Sequence, residues 1–142
     1  MNQGITPILQ VMRAILHDDE DGETKVYLIY ANKTEQDILC RQEIDNFVTK
    51  NRHRLSVYYI LSSTATLTEG WTQGRGHVDE GTLRRYLPDP SHEGRNAGSI
   101  EGCGLEDKGQ MILGCGPSSM IDSMKVALNS IGWDVERDVV VF

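Results

Sequence analysis

Two short runs, residues 25–31 (KVYLIYA) and Leu55–Leu61 (LSVYYIL), are apolar almost throughout and rich in β-branched and aromatic side chains. Runs of this length are strands covered on both faces, a condition met chiefly by parallel sheets clad with helices. The intervening segments read accordingly. Residues 7–16 set Ile8, Leu9, Val11, Met12, Ile15 and Leu16 on a helical stripe, opened by Thr6 as N-cap and Pro7 as the first helical residue. Thr34 caps a second helix with Glu35 and Asp37 in its first turn, continuing through Ile38, Leu39, Ile44 and Phe47 to Lys50. Further on, residues 79–86 predict a short helix stopped by Pro88, residues 110–113 a strand, Ser118–Ile131 a helix closed by Gly132, and residues 139–142 a last strand. Parallel neighbours need a long return path, which these helices supply. The expected class is therefore α/β, a three-layer parallel sheet with helices on both faces.

Three segments depart from this alternation. An α/β unit normally opens with a strand, yet a helix begins within a few residues of Met1, so the first strand is expected to be missing and the chain to be a fragment. Its absence would leave unpaired edges in the middle of the sheet. Residues 62–78 are polar and hold Trp71 and Gly74-Arg75-Gly76, which reads as a loop. Residues 89–109 carry five glycines and few apolar groups, too long for an ordinary connection, and read as a surface insertion.

Bulk properties remove several classes of function. A formal charge of −7 with no compact basic stripe excludes attraction to nucleic-acid phosphates. No apolar run approaches the roughly 20 residues a membrane helix needs, and Met1-Asn2-Gln3-Gly4 does not open a signal peptide. Cys40, Cys103 and Cys115 lack CxxC spacing, and His17, His53, His77 and His92 are scattered, so no metal site is expected. Free cysteines point to a reducing, cytoplasmic setting.

Three sites have chemistry to offer, each with a plainer alternative. Gly4-Ile5-Thr6-Pro7 leads into a helix whose free N–H groups favour phosphate, or is merely a tight turn and cap. Gly114-Cys115-Gly116-Pro117 lies at the end of a strand and the mouth of a helix, where open α/β sheets bind ligands; it reads equally as a structural turn with a buried thiol. The row Met120, Met124, Leu128 beyond it reads as core. Asp37, just past a strand end, suits hydrogen bonds from a ribose 2′-hydroxyl, or serves only the helix dipole. Trp71 reads as a loop anchor and Tyr58-Tyr59 as a half-buried strand pair.

Taken in order, these pieces resemble the NAD-binding domain of the ferredoxin–NADP reductase superfamily. Gly4-Ile5-Thr6-Pro7-Ile8-Leu9-Gln10 matches the latter part of its GGTGITPMLQ segment. The block Tyr30-Ala31-Asn32-Lys33-Thr34-Glu35-Gln36-Asp37-Ile38-Leu39 matches the YANxTExDIL signature of the branch that holds cytochrome b5 reductase and eukaryotic nitrate reductase. Trp71 with Gly74-Arg75-Gly76-His77-Val78, the Gly114-Cys115-Gly116-Pro117 loop and the terminal Phe142 follow in family order. Met1-Asn2-Gln3 departs from the family's Gly-Gly-Thr, and residues 89–109 are longer than in close relatives.

The resemblance implies NADH as cofactor, with NADPH possible, and FAD supplied by a separate domain absent from this chain. It places Gly4, Ile5, Thr6 and Pro7 against the cofactors, Asn32 and Asp37 near the adenosine ribose, and Gly76 in the following loop. Gly114, Cys115, Gly116, Pro117, Met120 and Phe142 would receive the nicotinamide, with Cys115 and Thr6 in catalytic roles. The implied function is hydride transfer from NADH to FAD, followed by electron passage to a haem acceptor of the cytochrome b5 type. A non-catalytic remnant binding no nucleotide is the alternative. A hydrolase built on Cys115 would need a histidine and an acid in recognisable order, which the sequence lacks.

Overall fold

The computed structural model describes residues 5–63, 69–90 and 110–142. Gly4 and residues 91–109 of the expected insertion lie outside the described residues. The elements are α1 (Ile5–Leu16), β1 (Val26–Asn32), a 3-10 turn (Glu35–Asp37), α2 (Arg41–Lys50), β2 (Leu55–Leu61), β3 (Gly74–Arg75), α3 (Glu80–Tyr86), β4 (Ile112–Gly114), α4 (Ser118–Ile131), α5 (Val135–Asp138) and β5 (Val139–Val141).

Among the described residues every strand pairing is parallel. β2 lies between β1 and β3, with Val26 opposite Leu55 and Asn32 opposite Leu61, while β4 pairs with β5 from Ile112 opposite Val139. Among the described residues β1 has β2 alone as a neighbour and β4 has β5 alone, so the sheet is in two pieces.

Alternation along the strands sorts side chains into two cores. Val26, Leu28 and Tyr30 of β1 and Leu55, Val57, Tyr59 and Leu61 of β2 meet Ile5, Leu9 and Met12 of α1 and Ile44 and Phe47 of α2. Ile29, on the opposite face of β1, packs with Leu83 of α3, Leu128 of α4, Trp133, Ile112 and Val139. Helices therefore cover both faces. The second cluster spans both pieces of the sheet, and its centre, Leu128, is fully buried. Truncating such a side chain to alanine costs about 2–5 kcal/mol.

The local ends explain several differences from the sequence reading. α1 begins at Ile5, so Thr6 lies inside the helix rather than at its cap; Pro7 still falls in the first turn, where no N–H has an intrahelical acceptor. The helix expected from Thr34 to Lys50 is two elements. Ile38 adopts an extended conformation after the 3-10 turn and is buried in the core, and Cys40, at φ 57°, turns the chain left-handed into α2. Gly74–Arg75, expected within a loop, forms β3 because Gly74 fits under the Tyr58 ring, where a Cβ would collide with the phenol. α3 begins as expected, with the Asp79 carboxylate accepting from the Thr82 amide. α4 matches its expected limits and ends at Gly132 with φ 114°. α5 has no counterpart in the sequence reading; Asp134 caps it by accepting from the Glu136 and Arg137 amides.

Candidate functional site

Parallel strands point their C-terminal ends one way, and two groups of expected residues sit at such ends. The first follows β1. Asn32 is buried, and its carbonyl accepts from the Ser62 amide at 3.0 Å, joining the ends of β1 and β2. The chain then closes into a tight turn in which one Asp37 carboxylate oxygen accepts from the Thr34 amide at 3.0 Å and the Thr34 hydroxyl at 2.8 Å. Asp37 thus acts as the reciprocal partner of its own N-cap. The turn is held to the sheet by the Tyr30 hydroxyl, which accepts from the Leu39 amide at 3.2 Å. Burial pushes the Tyr30 phenol above its ordinary range.

Beyond β2, Trp71 anchors its loop as expected, its indole N–H donating to the Gly74 carbonyl at 3.1 Å. Gly76 follows with φ 98°, a conformation side chains resist, and its amide donates to the Leu61 carbonyl at 2.8 Å. The hydroxyl of Tyr59, buried on the α2 side, donates to Asp45 at 2.8 Å; burial first and that bond second hold its phenol far above the ordinary range. Tyr58, on the other face, stacks on Tyr86 with ring centres 3.6 Å apart.

The second group follows β4. Gly114 ends the strand and is buried, its carbonyl accepting from the Phe142 amide at 3.0 Å, so the C-terminal residue is stitched beside the loop while its ring stays exposed. A Cβ on Gly114 would lie 2.7 Å from the Met124 methyl, and one on Gly116 would collide with the Met120 methyl. Met120 therefore lies back over the loop, whereas Met124 packs into the core with Leu128. Cys115 is a free, half-buried thiol between the two glycines. Pro117 is the N-cap of α4 and offers no side-chain acceptor, leaving the first-turn N–H groups for another partner.

The structure brings Gly114, Cys115, Gly116, Pro117, Met120 and Phe142 together at one strand end, and Asn32, Asp37 and Gly76 at the ends of the β1–β2–β3 sheet. Ile5 is buried in the core and Thr6 is exposed at the head of α1. Sequence reading missed how Glu35 engages Arg41: the two are six residues apart and meet only because the helix breaks between them.

The family model for the oxidoreductase NAD-binding domain matches residues 3–125. The chain belongs to this family. Among its relatives, this NAD-binding domain is 37% identical over 141 residues to nitrate reductase [NAD(P)H] of Hordeum vulgare, covering 98% of this chain and 14% of that protein. It is 39% identical over 140 residues to nitrate reductase [NADH] of Lotus japonicus, covering 13% of it. The chain thus spans a small part of the length of these relatives. Among solved structures, the cytochrome b5 reductase domain of Ulva prolifera nitrate reductase superposes with a TM-score of 0.80 at 28% identity, over 98% of this chain and 46% of that one. The CS-b5R domains of human Ncb5or in the NAD+ form share the fold, with a TM-score of 0.75 at 24% identity over 98% of this chain and 34% of that one. The fold is that of the ferredoxin reductase-like NAD-binding domain.

Proposed function

We propose that this NAD-binding domain holds NADH so that its nicotinamide meets a flavin carried by a separate domain, in a reductase of the nitrate reductase or cytochrome b5 reductase type. The observation that carries this reading is the Gly114–Pro117 loop, which ends a parallel strand with two residues free of side chains and opens directly into α4 without a capping side chain. A flat ring and its carboxamide fit such a cradle: the glycines leave the approach clear, and the α4 amides offer donors. When bound, FAD accepts the nicotinamide hydride and releases electrons singly to a haem acceptor of the cytochrome b5 type.

Cys115, between the glycines, orients the nicotinamide, and Met120 limits how deeply it enters. Thr6 at the head of α1 hydrogen-bonds the cofactor beside Gly4, Ile5 and Pro7, and Asp37 with Asn32 addresses the adenosine ribose, Gly76 lining the next loop. Phe142 with Val140, Val141 and Met111 exposes apolar surface on the β4–β5 pair, which suits contact with the flavin-bearing domain. Among the described residues no helix is long and apolar enough to cross a membrane. The Gln110 side chain donates to the Asp89 carbonyl at 3.1 Å, which supports reading 89–109 as a surface insertion.

The test is to join the chain to an FAD-loaded flavin-binding domain of this type and follow flavin absorbance on adding NADH. Bleaching that needs the chain supports the proposal; an unchanged flavin spectrum, with both parts folded, refutes it.

A further inference from the structure

Arg41 is the most encumbered cation at the ribose end of the sheet. Its guanidinium pairs with the Glu35 carboxylate at 3.2 Å and approaches Asp45 at 3.7 Å. It also lies over two aromatic rings, 5.5 Å from the centre of Tyr59 and 5.7 Å from that of Trp71. The Glu35 side chain is 17% exposed against 52% for Asp45, so water screens the Glu35 pair less and Glu35 is the stronger holder. Glu35 also belongs to the same 3-10 turn as Asp37, one residue separating them.

We propose that Glu35 is a specificity-determining residue for the dinucleotide, keeping the 34–41 turn receptive to a ribose 2′-hydroxyl and closed to a 2′-phosphate by holding Arg41 neutralised. The proposal rests on the reading of the Asp37 turn as the ribose site. Sites that accept a 2′-phosphate place an arginine beside the ribose, and sites that refuse it place a carboxylate there. Here both elements are present. Arg41 is the arginine of this segment; its Nη1 donates to Glu35 at 3.2 Å, Asp45 stands 3.7 Å from its Nε, and the two rings flank its guanidinium. Lys33, exposed just after β1, is the other cation nearby, and it precedes the turn. With three carboxylates (Glu35, Asp37, Asp45) against one guanidinium, the cluster is net negative and repels a doubly charged phosphate. Replacing Glu35 by glutamine keeps its shape while removing one negative charge and loosening Arg41.

The experiment is calorimetric titration of NADH and of NADPH into the 142-residue chain as wild type, Glu35→Gln, and Glu35→Gln with Arg41→Met. The wild type is expected to prefer NADH. In Glu35→Gln the NADPH preference relative to NADH rises about three- to fivefold, the scale of one partly exposed ion pair, and the added Arg41→Met abolishes the gain. A role in holding the fold alone would move both affinities together. An unchanged ratio in Glu35→Gln, with NADH still bound, overturns the role of Glu35 and leaves the ribose reading standing. Wild-type chain that binds neither nucleotide overturns both. Arg41→Met alone reads the same claim if Glu35→Gln does not fold: NADPH affinity within about twofold of wild type is expected for an already neutralised cation, and a larger drop shows Arg41 available to the phosphate and overturns the proposal.

Discussion

The Tyr59 hydroxyl on β2 donates a 2.8 Å hydrogen bond to the Asp45 carboxylate on α2, in the same place where Arg41 crosses the Tyr59 ring. The bond joins sheet to helix beside the proposed ribose turn. Removing it by Tyr59→Phe is expected to lower unfolding free energy by about 1.5–3 kcal/mol, the range for a hydrogen bond to a charged group. Urea unfolding monitored by circular dichroism measures the change, and a loss below the error of the fit would count against the bond.

The same tyrosine sets an alkaline limit. Burial and the Asp45 bond raise the folded Tyr59 phenol above its ordinary value of 10.0, and burial raises Tyr30 and Tyr58 as well. Above that value the unfolded chain releases protons that the folded chain retains, so unfolding gains free energy as pH rises. Stability is therefore fully present below pH 10 and falls as pH climbs beyond it. Tyr59→Phe is expected to flatten this decline; equal slopes for the two proteins between pH 9.5 and 11.5 would show that Tyr59 titrates alike in both states.

Two glycines with close neighbours should respond differently to alanine. A Cβ on Gly74 meets the rigid Tyr58 ring, which cannot retreat because it stacks on Tyr86 at 3.6 Å. Gly74→Ala is expected to cost about 1–3 kcal/mol, as overpacking does. A Cβ on Gly116 meets only the mobile end of Met120. Gly116→Ala should cost about 1–3 kcal/mol through the backbone, because Gly116 sits at φ 159° where L side chains are strained, and it should weaken NADH binding because the displaced methionine crowds the loop. Thermal unfolding and calorimetry separate the two effects, and a Gly116→Ala chain that binds NADH as tightly as wild type would contradict the stated geometry.

Cys115 is expected to matter for alignment more than for affinity. With the chain joined to its flavin domain, Cys115→Ser should slow flavin reduction by about tenfold or more with NADH affinity changed by less than about threefold, since misplacing a reacting ring by a fraction of an ångström is enough. Stopped-flow reduction across NADH concentrations gives both quantities. Equal losses in rate and affinity would assign the thiol to binding alone.

Asp37 should be separable into its two duties. Asp37→Asn can still accept from the Thr34 amide and hydroxyl, so the turn is expected to survive with unfolding free energy within about 1 kcal/mol of wild type. The loss of charge should nevertheless reduce the preference for NADH over NADPH. Asp37→Thr, which also removes the cap, should lose both. A ratio unchanged in both variants would leave Asp37 with the cap alone.

Much of the architecture was legible because burial on two faces leaves an unmistakable pattern: 25–31 and Leu55–Leu61 could hardly be exposed, and Ser118–Ile131 carries its stripe and its closing Gly132 together. Long-range effects were not legible. Ile38 and Leu39 continue the helical periodicity of 34–47, yet Ile38 is drawn into the core and the Leu39 amide bonds Tyr30, which breaks the helix. β3 carries no strand signal of its own; Gly74–Arg75 pairs with the end of β2 where Gly74 fits under the Tyr58 ring. In the site, the Gly114–Pro117 loop was legible as a strand-to-helix junction, but its sequence read equally as a structural turn. The Glu35–Arg41 pair was not legible, because its six-residue separation fits neither helix nor strand periodicity.

The central claim is that this chain binds NADH, and direct calorimetric titration of NADH into the purified 142-residue chain tests it most simply. Saturable one-to-one binding, weakened by Gly116→Ala, is the expected result. A folded chain that shows no saturable heat with NADH would contradict the account.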